Sequence, residues 1–232
     1  MKTRKGVQKI YAEVAGTYEI VNHVLTLGLD TYWRKKAVRE VLKVPGTLLM
    51  DMCSGTGEIA QYLKKETGSQ AHIVSVDFSF PMLRLAKLKP CANRILFVLG
   101  DGLSLPFPDR VFDSIVISFA TRNLNVRREI LIEHLKEFHR VLKPEGRFIN
   151  LETSQPSNAL VRNLFHLYIK WAIVPVGSFF SGSRPGYRYL AHTIPRFYPA
   201  REYQRILHES GFASVCYRTY LFGVAALHSA VK

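Results

Sequence analysis

Three acidic residues close three successive apolar runs of the chain. The acids are Asp51, Asp77 and Asp101, after the runs 48–50, 72–76 and 95–99. Because the carboxyl ends of parallel strands meet at one edge of a sheet, we expect the three carboxylates to line one ligand site. Asp51 would take an ammonium group, Asp77 both hydroxyls of a ribose, and Asp101, with the N–H of Gly102, the amino edge of adenine. The ligand that fits is an adenosine with amino and carboxylate ends, which is S-adenosylmethionine.

A glycine turn separates Asp51 from the helical pattern that begins at Glu58. Gly55 and Gly57 allow the chain to turn sharply and leave room for a ligand, and Thr56 lies between them. The free N–H groups of the following helix would then bind the carboxylate of the methionine moiety. The same letters also fit a dinucleotide fingerprint, Gly-x-Gly-x-x-Ala. A dinucleotide enzyme does not need the third acid, so the set favours S-adenosylmethionine.

Strand and helix patterns alternate from Thr47 to Glu152, which predicts a parallel sheet covered on both faces. The predicted strands are 47–52, 71–77, 95–100, 113–119 and 147–152, and the predicted helices are 57–66, 79–89 and 126–142. Alternating runs at 214–220 and 224–231 add an edge hairpin. The predicted fold is α/β and Rossmann-like, with a seven-stranded, mostly parallel sheet and one antiparallel strand.

The length of 232 residues predicts one domain over 1–232, with an N-terminal helical segment at 7–44 and a helical lid or insertion at about 157–205. Between 158 and 205, seven basic residues and ten aromatic ones accompany a single acid, Glu202. This composition suits stacked bases, an apolar tail at a bilayer interface, or an insertion with a solvated basic face. The apolar window from Trp171 to Phe180 is expected to be interrupted by Pro175 and Gly177 and falls short of the roughly 20 residues of a spanning helix, so no membrane-spanning segment is predicted.

The net charge of +14 indicates anionic partners, either nucleic acid or an anionic membrane surface. The three cysteines have neither zinc nor disulfide spacing, which indicates a reducing cytoplasm. Cys53, beside the glycine turn, is expected to pack under it rather than act as a nucleophile. The basic residues 1–5 are not followed by an apolar region, so no signal peptide is predicted. No cluster of histidines and carboxylates predicts a metal site.

The sequence resembles the ubiquinone/menaquinone biosynthesis C-methyltransferase family from roughly Val7 to Lys232. The matching segments include DMCSGTGEIA, VDFSFPML, GDGLSLPFPDRVFDSIVISFATRN, RVLKPEGRF, YRYLAHTIPRFYP and GFASVCYRTYLFGVAALHSAVK. The resemblance implies a class I methyltransferase that methylates a ring carbon of a polyprenylated quinol with S-adenosylmethionine. It implies cofactor contacts at Thr56, Asp77, Asp101, Gly102 and Ser118. With Asp51, Gly55, Gly57 and Phe78 these are the candidate cofactor-binding residues.

Arg122 and Asn123 are the candidate catalytic residues. Ring methylation needs positioning and removal of the quinol proton, and a fixed guanidinium at Arg122 would stabilise the phenolate oxygen. Arginine is a poor base, so we expect a water held by Arg122 and Asn123 to relay the proton. The alternatives are a surface ion pair for Arg122 and a cap of the helix from near Val126 for Asn123. The histidines that could serve as bases instead are His23, His192 and His228.

The chain departs from the family pattern at Ala120, Thr121, Asp30 and Glu58, and the changes beside Arg122 and at Asp30 are expected to line the acceptor side. We expect a cytoplasmic enzyme that touches the inner face of an anionic membrane and takes a lipid quinol. A homodimer is compatible with the sequence. The rival functions are methylation of another prenylated or aromatic acceptor, methylation of RNA, and cofactor binding without catalysis. RNA is disfavoured because the Asn/Asp-Pro-Pro-aromatic motif for flipped bases is missing, and loss of catalysis because Arg122 and Asn123 remain.

Overall fold

The computed structural model describes residue 6 and residues 11–232, so the basic residues 1–5 and the first part of the predicted 7–44 segment, 7–10, lie outside the described residues. Its seven strands form one sheet in the order β3-β2-β1-β4-β5-β7-β6. The strands are β1 (Leu48–Met52), β2 (His72–Asp77), β3 (Ile95–Leu99), β4 (Phe112–Ser118), β5 (Leu142–Thr153), β6 (Ser214–Tyr220) and β7 (Ala225–Val231). Strands β1 to β5 pair in parallel, and β7 runs antiparallel to both β5 and β6. The predicted mostly parallel sheet with one antiparallel strand is confirmed.

The chain order reverses at β1, which pairs with β2 on one side and β4 on the other. In such sheets the helices that follow the two inner strands leave on opposite faces, and a crevice opens at the carboxyl ends between them. Met50 and Ile115, at the centre of β1 and β4, are fully buried because helices cover both faces. The sheet therefore creates a ligand crevice where the sequence places its acids.

The helices described between residues 18 and 209 are ten. They are α1 (Tyr18–Leu25), α2 (Leu29–Val41), α3 (Glu58–Thr67), α4 (Phe80–Ala86), α5 (Thr121–Leu124), α6 (Arg128–Val141), α7 (Ala159–Tyr168), α8 (Val174–Ser181), α9 (Arg184–Thr193) and α10 (Ala200–Glu209). Helix α6 packs Leu131, Leu135 and Phe138 into one core cluster, as its 3.6-residue period predicts. The opposite face of the sheet is covered by α2 and α3, through Trp33 and Leu63 among others.

Strand β5 is longer than predicted, since it begins at Leu142 directly after α6 rather than at 147. Leu142 pairs with Phe112, and the register shifts between Phe112 and Ser114 to accommodate the turn at Pro144 to Gly146. The turn thus lies inside the extended segment. The stop signal ends the helix as predicted, while the strand pairing resumes earlier than its apolar run indicates.

The expectation that Pro175 and Gly177 interrupt the apolar window is wrong. Helices α7 and α8 are joined by a π-helical turn over Ile169–Ile173, so the chain is helical from Ala159 to Ser181. A widened turn before Pro175 accommodates a residue that lacks an N–H donor. In the described part of the chain this one helix is long and apolar enough to cross a membrane, judged by length and composition, with a mean hydropathy of 1.2.

Candidate active site

A cavity of about 800 Å³ opens at the carboxyl ends of β1 to β4. It is lined by ten of the eleven residues that the sequence selects: Asp51, Gly55, Thr56, Asp77, Phe78, Asp101, Gly102, Ser118, Arg122 and Asn123. Gly57 does not line the cavity and instead caps the start of α3 with a φ of 77°. The topology therefore brings the candidate cofactor and catalytic residues to one site.

The loop after β1 leaves the space that a ligand requires. Gly55 has a φ of 55°, and a Cβ added there would meet no atom within 4 Å. The N-terminal N–H groups of α3 begin at Glu58, two residues beyond Thr56. An open glycine turn at the N-terminus of a ten-residue helix suits a carboxylate ligand. The residues present at this end of the cavity fit the methionine carboxylate of S-adenosylmethionine.

Asp51 makes a contact that the sequence does not predict. Its carboxyl is 1% exposed and accepts a hydrogen bond from the N–H of Ala60 at 2.9 Å. Burial raises the pKa of Asp51 to about 8, partly opposed by that hydrogen bond. Asp51 lines the cavity, but its contact in the structure is with the first turn of α3. The sequence pattern locates this residue without revealing that contact.

Asp77 and Ser118 present oxygen atoms to the cavity. Asp77 accepts hydrogen bonds from the N–H groups of Gly55 and Ser79, both at 2.8 Å. Burial raises the pKa of Asp77 to about 6, although those two N–H groups lower it. Each carboxylate oxygen has a second lone pair, so Asp77 can still accept ribose hydroxyls. The buried hydroxyl of Ser118 has no hydrogen-bond partner within residues 11–232.

The ion pair of Arg122 is buried, so the alternative of a surface pair is wrong. Its Nη1 donates to Oε1 of Glu152 and to the carbonyl of Phe119, each at 2.7 Å, and its backbone N–H donates to Oε2 of Glu152 at 3.1 Å. Burial alone lowers the pKa of Arg122, but Glu152 raises it above the ordinary value. Glu152, which anchors the candidate catalytic residue Arg122, is a residue that sequence reasoning missed. Its signal is an acid at the end of the fifth strand, as in the first three.

Asn123 lies in the short helix α5, and the helix-cap alternative is wrong because α6 begins after Arg127 with no side-chain cap. The amide Nδ2 of Asn123 donates to the phenol oxygen of Tyr11 at 2.7 Å. Burial raises the pKa of Tyr11 well above its ordinary value, so the phenol stays neutral. The ring of Tyr11 packs edge to face on Tyr18. Both tyrosines line the cavity with Tyr189 and form its aromatic side.

A second charged network stands beside the glycine turn. Arg34 donates to Oδ2 of Asp30 at 2.5 Å and lies 3.2 Å from Oε2 of Glu58. Arg34 and Glu58 line the cavity, whereas Asp30 lies behind Arg34 and does not. The expectation that Asp30 lines the acceptor side is therefore wrong. Burial raises the pKa of Glu58, and Arg34 opposes that shift.

Cys53, His23 and His228 contribute no nucleophile or base that the geometry favours. Burial and the neighbouring Asp77 raise the pKa of the Cys53 thiol, which packs against the core cluster under the turn. His192 lines the cavity, while His23 and His228 do not. His228 is buried against the carbonyl of Ala200, and its pKa is lowered to about 4 by burial.

Sequence comparisons identify the family to which the chain is similar. The profile of the ubiE/COQ5 methyltransferase family matches residues 1–232. Demethylmenaquinone methyltransferase of Staphylococcus saprophyticus is 32% identical over 230 residues, 99% of this chain and 97% of that protein. The protein of the same name from Lactiplantibacillus plantarum is also 32% identical and covers 97% of this chain and 95% of its own.

Solved structures share the fold. A SAM-dependent methyltransferase from Thermotoga maritima superposes with a TM-score of 0.67 at 16% identity, covering 97% of this chain and 99% of its own. Another from Aquifex aeolicus gives 0.58 at 18% identity, covering 85% and 88%. The sheet is that of class I methyltransferases, and the cofactor is S-adenosylmethionine. With a family match along its whole length, the chain belongs to the ubiE/COQ5 methyltransferase family.

Proposed function

We propose that the protein transfers a methyl group from S-adenosylmethionine to a ring carbon of a polyprenylated quinol, of the demethylmenaquinol type. One observation carries this proposal: a single cavity joins the acids at the strand ends to an aromatic side formed by Tyr11, Tyr18, Tyr189 and Phe197. A flat ring suits such a wall. The relatives named demethylmenaquinone methyltransferase support the ring type.

We call the part of the cavity lined by Asp77, Asp101 and Gly102 the cofactor half, and the part lined by Arg122, Asn123 and the aromatic side the acceptor half. The cofactor half holds and orients the methyl donor. When bound, S-adenosylmethionine supplies an electrophilic methyl on its sulfonium. We assign the ribose to Asp77, adenine to Asp101 and Gly102, and the methionine carboxylate to the N–H groups at the start of α3. Asp51 and Glu58 both line this end of the cavity, and we assign the ammonium group to Glu58, since Oδ2 of Asp51 already accepts the N–H of Ala60.

In the acceptor half, Arg122 stabilises the negative charge that develops on the ring oxygen, and Asn123 orients the hydroxyl group that loses its proton. Glu152 fixes the guanidinium of Arg122, and a fixed cation stabilises a phenolate without reorganising. Because Nδ2 of Asn123 is bonded to Tyr11, its Oδ1 is the atom left for the acceptor, and it has no partner in the described structure. Oδ1 accepts a hydrogen bond from the quinol hydroxyl, or from the water that relays the hydroxyl proton to solvent.

Two chain segments close the acceptor half. Tyr11 and Tyr18 come from the predicted segment 7–44, and Tyr189 and Phe197 come from 157–205, and all four line the cavity. These segments form a lid that excludes water from the reacting ring. The basic, aromatic segment 157–205 of the lid also contacts an anionic membrane, where a long-tailed quinol resides.

Asn123→Ala tests the acceptor half. We expect kcat to fall about tenfold to a hundredfold, because the Oδ1 contact acts on the proton in transit, while cofactor affinity stays within about twofold. Asn163→Ala, on the exposed side of α7, is the matched control and should leave both unchanged. Equal losses of turnover and cofactor affinity would contradict the assigned role.

A further inference from the structure

The helix Ala159–Ser181 presents an apolar stripe to solvent. From Leu160 to Trp171 its members recur every three or four residues, which places them on one face, and the exposed Pro175 lies midway between Trp171 and Phe179. They are Leu160, Leu164, Leu167, Tyr168, Trp171 and Phe179, with exposed fractions of 69, 57, 52, 42, 67 and 84%. The opposite face buries Ile169, Ile173 and Gly177 in the protein. No residue of α7, the first part of this helix, is fully buried, and an exposed apolar stripe of this kind marks an interaction surface.

The stripe continues onto the neighbouring connection between α1 and α2. Tyr168 donates its hydroxyl hydrogen to the carbonyl of Leu25. Leu27, two residues further along, is 89% exposed. Leu27 has a φ of 51°, a conformation uncommon for a residue with a branched side chain. The exposed apolar surface is therefore formed by two segments that are held together by a hydrogen bond.

The charge around the stripe indicates which kind of partner binds it. No acid occurs between Glu152 and Glu202, while six basic residues do: Arg162, Lys170, Arg184, Arg188, Arg196 and Arg201. Lys170, Arg184 and Arg188 are exposed. A second copy of the chain would bring the same basic segment against itself, and like charges oppose that pairing. An apolar stripe with a basic rim and interfacial aromatic residues complements an anionic lipid surface.

We propose that the helix Ala159–Ser181 lies in the plane of an anionic bilayer and inserts this stripe into the boundary between headgroups and acyl chains. The helix does not span, because its other face packs on α1 and α9. The choice of a bilayer rests on the proposed function, since a polyprenylated acceptor is delivered from one.

Contact between α8 and α9 links the docked helix to the active site. A Cβ on Gly177 would fall 2.1 Å from the ring of Tyr187, so the two helices are in close contact. Tyr189, His192 and Thr193, further along α9, line the cavity. Docking therefore places the acceptor half about one helix diameter, roughly 10 Å, from the lipid.

The experiment uses the full chain and vesicles of phosphatidylcholine with or without phosphatidylglycerol. The chain has two tryptophans: Trp171 on the stripe and Trp33, which is 5% exposed in the core. We expect vesicles containing phosphatidylglycerol to shift Trp171 emission to the blue, with quenching by lipids brominated near the headgroup. Trp171→Phe assigns the signal. Quenching strongest at the bilayer centre would overturn the planar arrangement.

Leu160→Ser with Leu164→Ser is the test variant, and Leu96→Ser with Leu99→Ser, two exposed leucines on edge strand β3, is its matched control. We expect the test variant to lose vesicle affinity by about tenfold or more, with the control unchanged. Unchanged affinity in the test variant would overturn the inference, as would a wild-type dimer that the test variant loses.

Activity separates this inference from the proposed function. The test variant should keep wild-type turnover on a short-tailed, water-soluble quinol and lose it on a long-tailed quinol in vesicles. Wild-type protein that binds vesicles but methylates neither quinol would refute the proposed substrate and leave the docking helix supported. Equal losses on both quinols in a folded variant would refute the docking role.

Discussion

At the scale of single residues, the candidate catalytic residue Arg122 depends on a partner 30 positions away in the sequence. Arg122 is held by Glu152, both less than 5% exposed at the side chain. Arg122 and Asn123 stand out in the sequence because they carry the resemblance, while Glu152 reads only as the end of a strand. The pairing could not be predicted, because it depends on β4 and β5 ending side by side.

Arg122→Ala should destabilise the protein by about 3–5 kcal/mol, because Glu152 is left buried and uncompensated. Arg122→Gln with Glu152→Gln removes both charges and should recover most of that loss. The double variant should nevertheless stay inactive, since the cation that stabilises the phenolate is gone. Denaturant unfolding and turnover, measured on the same samples, separate the two effects. Full activity in the stable double variant would contradict the electrostatic role.

Asp51 predicts a pH dependence of stability. Its pKa is about 8 in the folded protein and ordinary in the unfolded chain, so the folded state holds a proton that the unfolded state has lost. Between pH 6.5 and 8 the free energy of unfolding should therefore fall as pH rises, by up to about 1.4 kcal/mol per unit. Asp51→Asn keeps an acceptor for Ala60 and should flatten the slope. Parallel curves for both proteins without cofactor would be inconsistent with this shift.

At the scale of elements, periodicity predicts what is regular and misses what depends on tertiary contacts. The strands and α6 fall within a few residues of prediction because their apolar residues repeat at the period of each element. The helical character of 157–205 is predicted, but the continuity of the helix Ala159–Ser181 is missed because Pro175 and Gly177 are typical helix breakers. The π-helical turn accommodates the first, and close packing on Tyr187 requires the second.

Gly177→Ala tests that packing. The added methyl overlaps the ring of Tyr187, so we expect a loss of about 1–3 kcal/mol and a shift of α9. Because α9 lines the acceptor half, KM for the quinol should rise while cofactor affinity holds. Gly16→Ala is the control, since a Cβ there meets nothing within 4 Å. A change confined to cofactor affinity would contradict the placement of α9.

At the scale of the whole molecule, the reversal of strand order at β1 determines the position of the cavity. The uneven distribution of charge supports the proposed contact with a membrane. A net charge of +14 alone did not distinguish nucleic acid from membrane. The fold adds the position of the charge, because the acid-free stretch 153–201 carries the exposed apolar stripe. Sequence composition could locate that stretch, but which of its residues face solvent depends on how the helices pack.

A single incubation identifies the acceptor that the protein methylates. The protein is mixed with methyl-labelled S-adenosylmethionine, a reduced lipid extract and total RNA, and the label is partitioned between organic and aqueous phases. We predict label in the organic phase, on the ring of a polyprenylated quinol by mass, and about tenfold to a hundredfold less label with Asn123→Ala at matched time. Label in the RNA, or in neither phase, would contradict the proposal that the protein methylates a polyprenylated quinol.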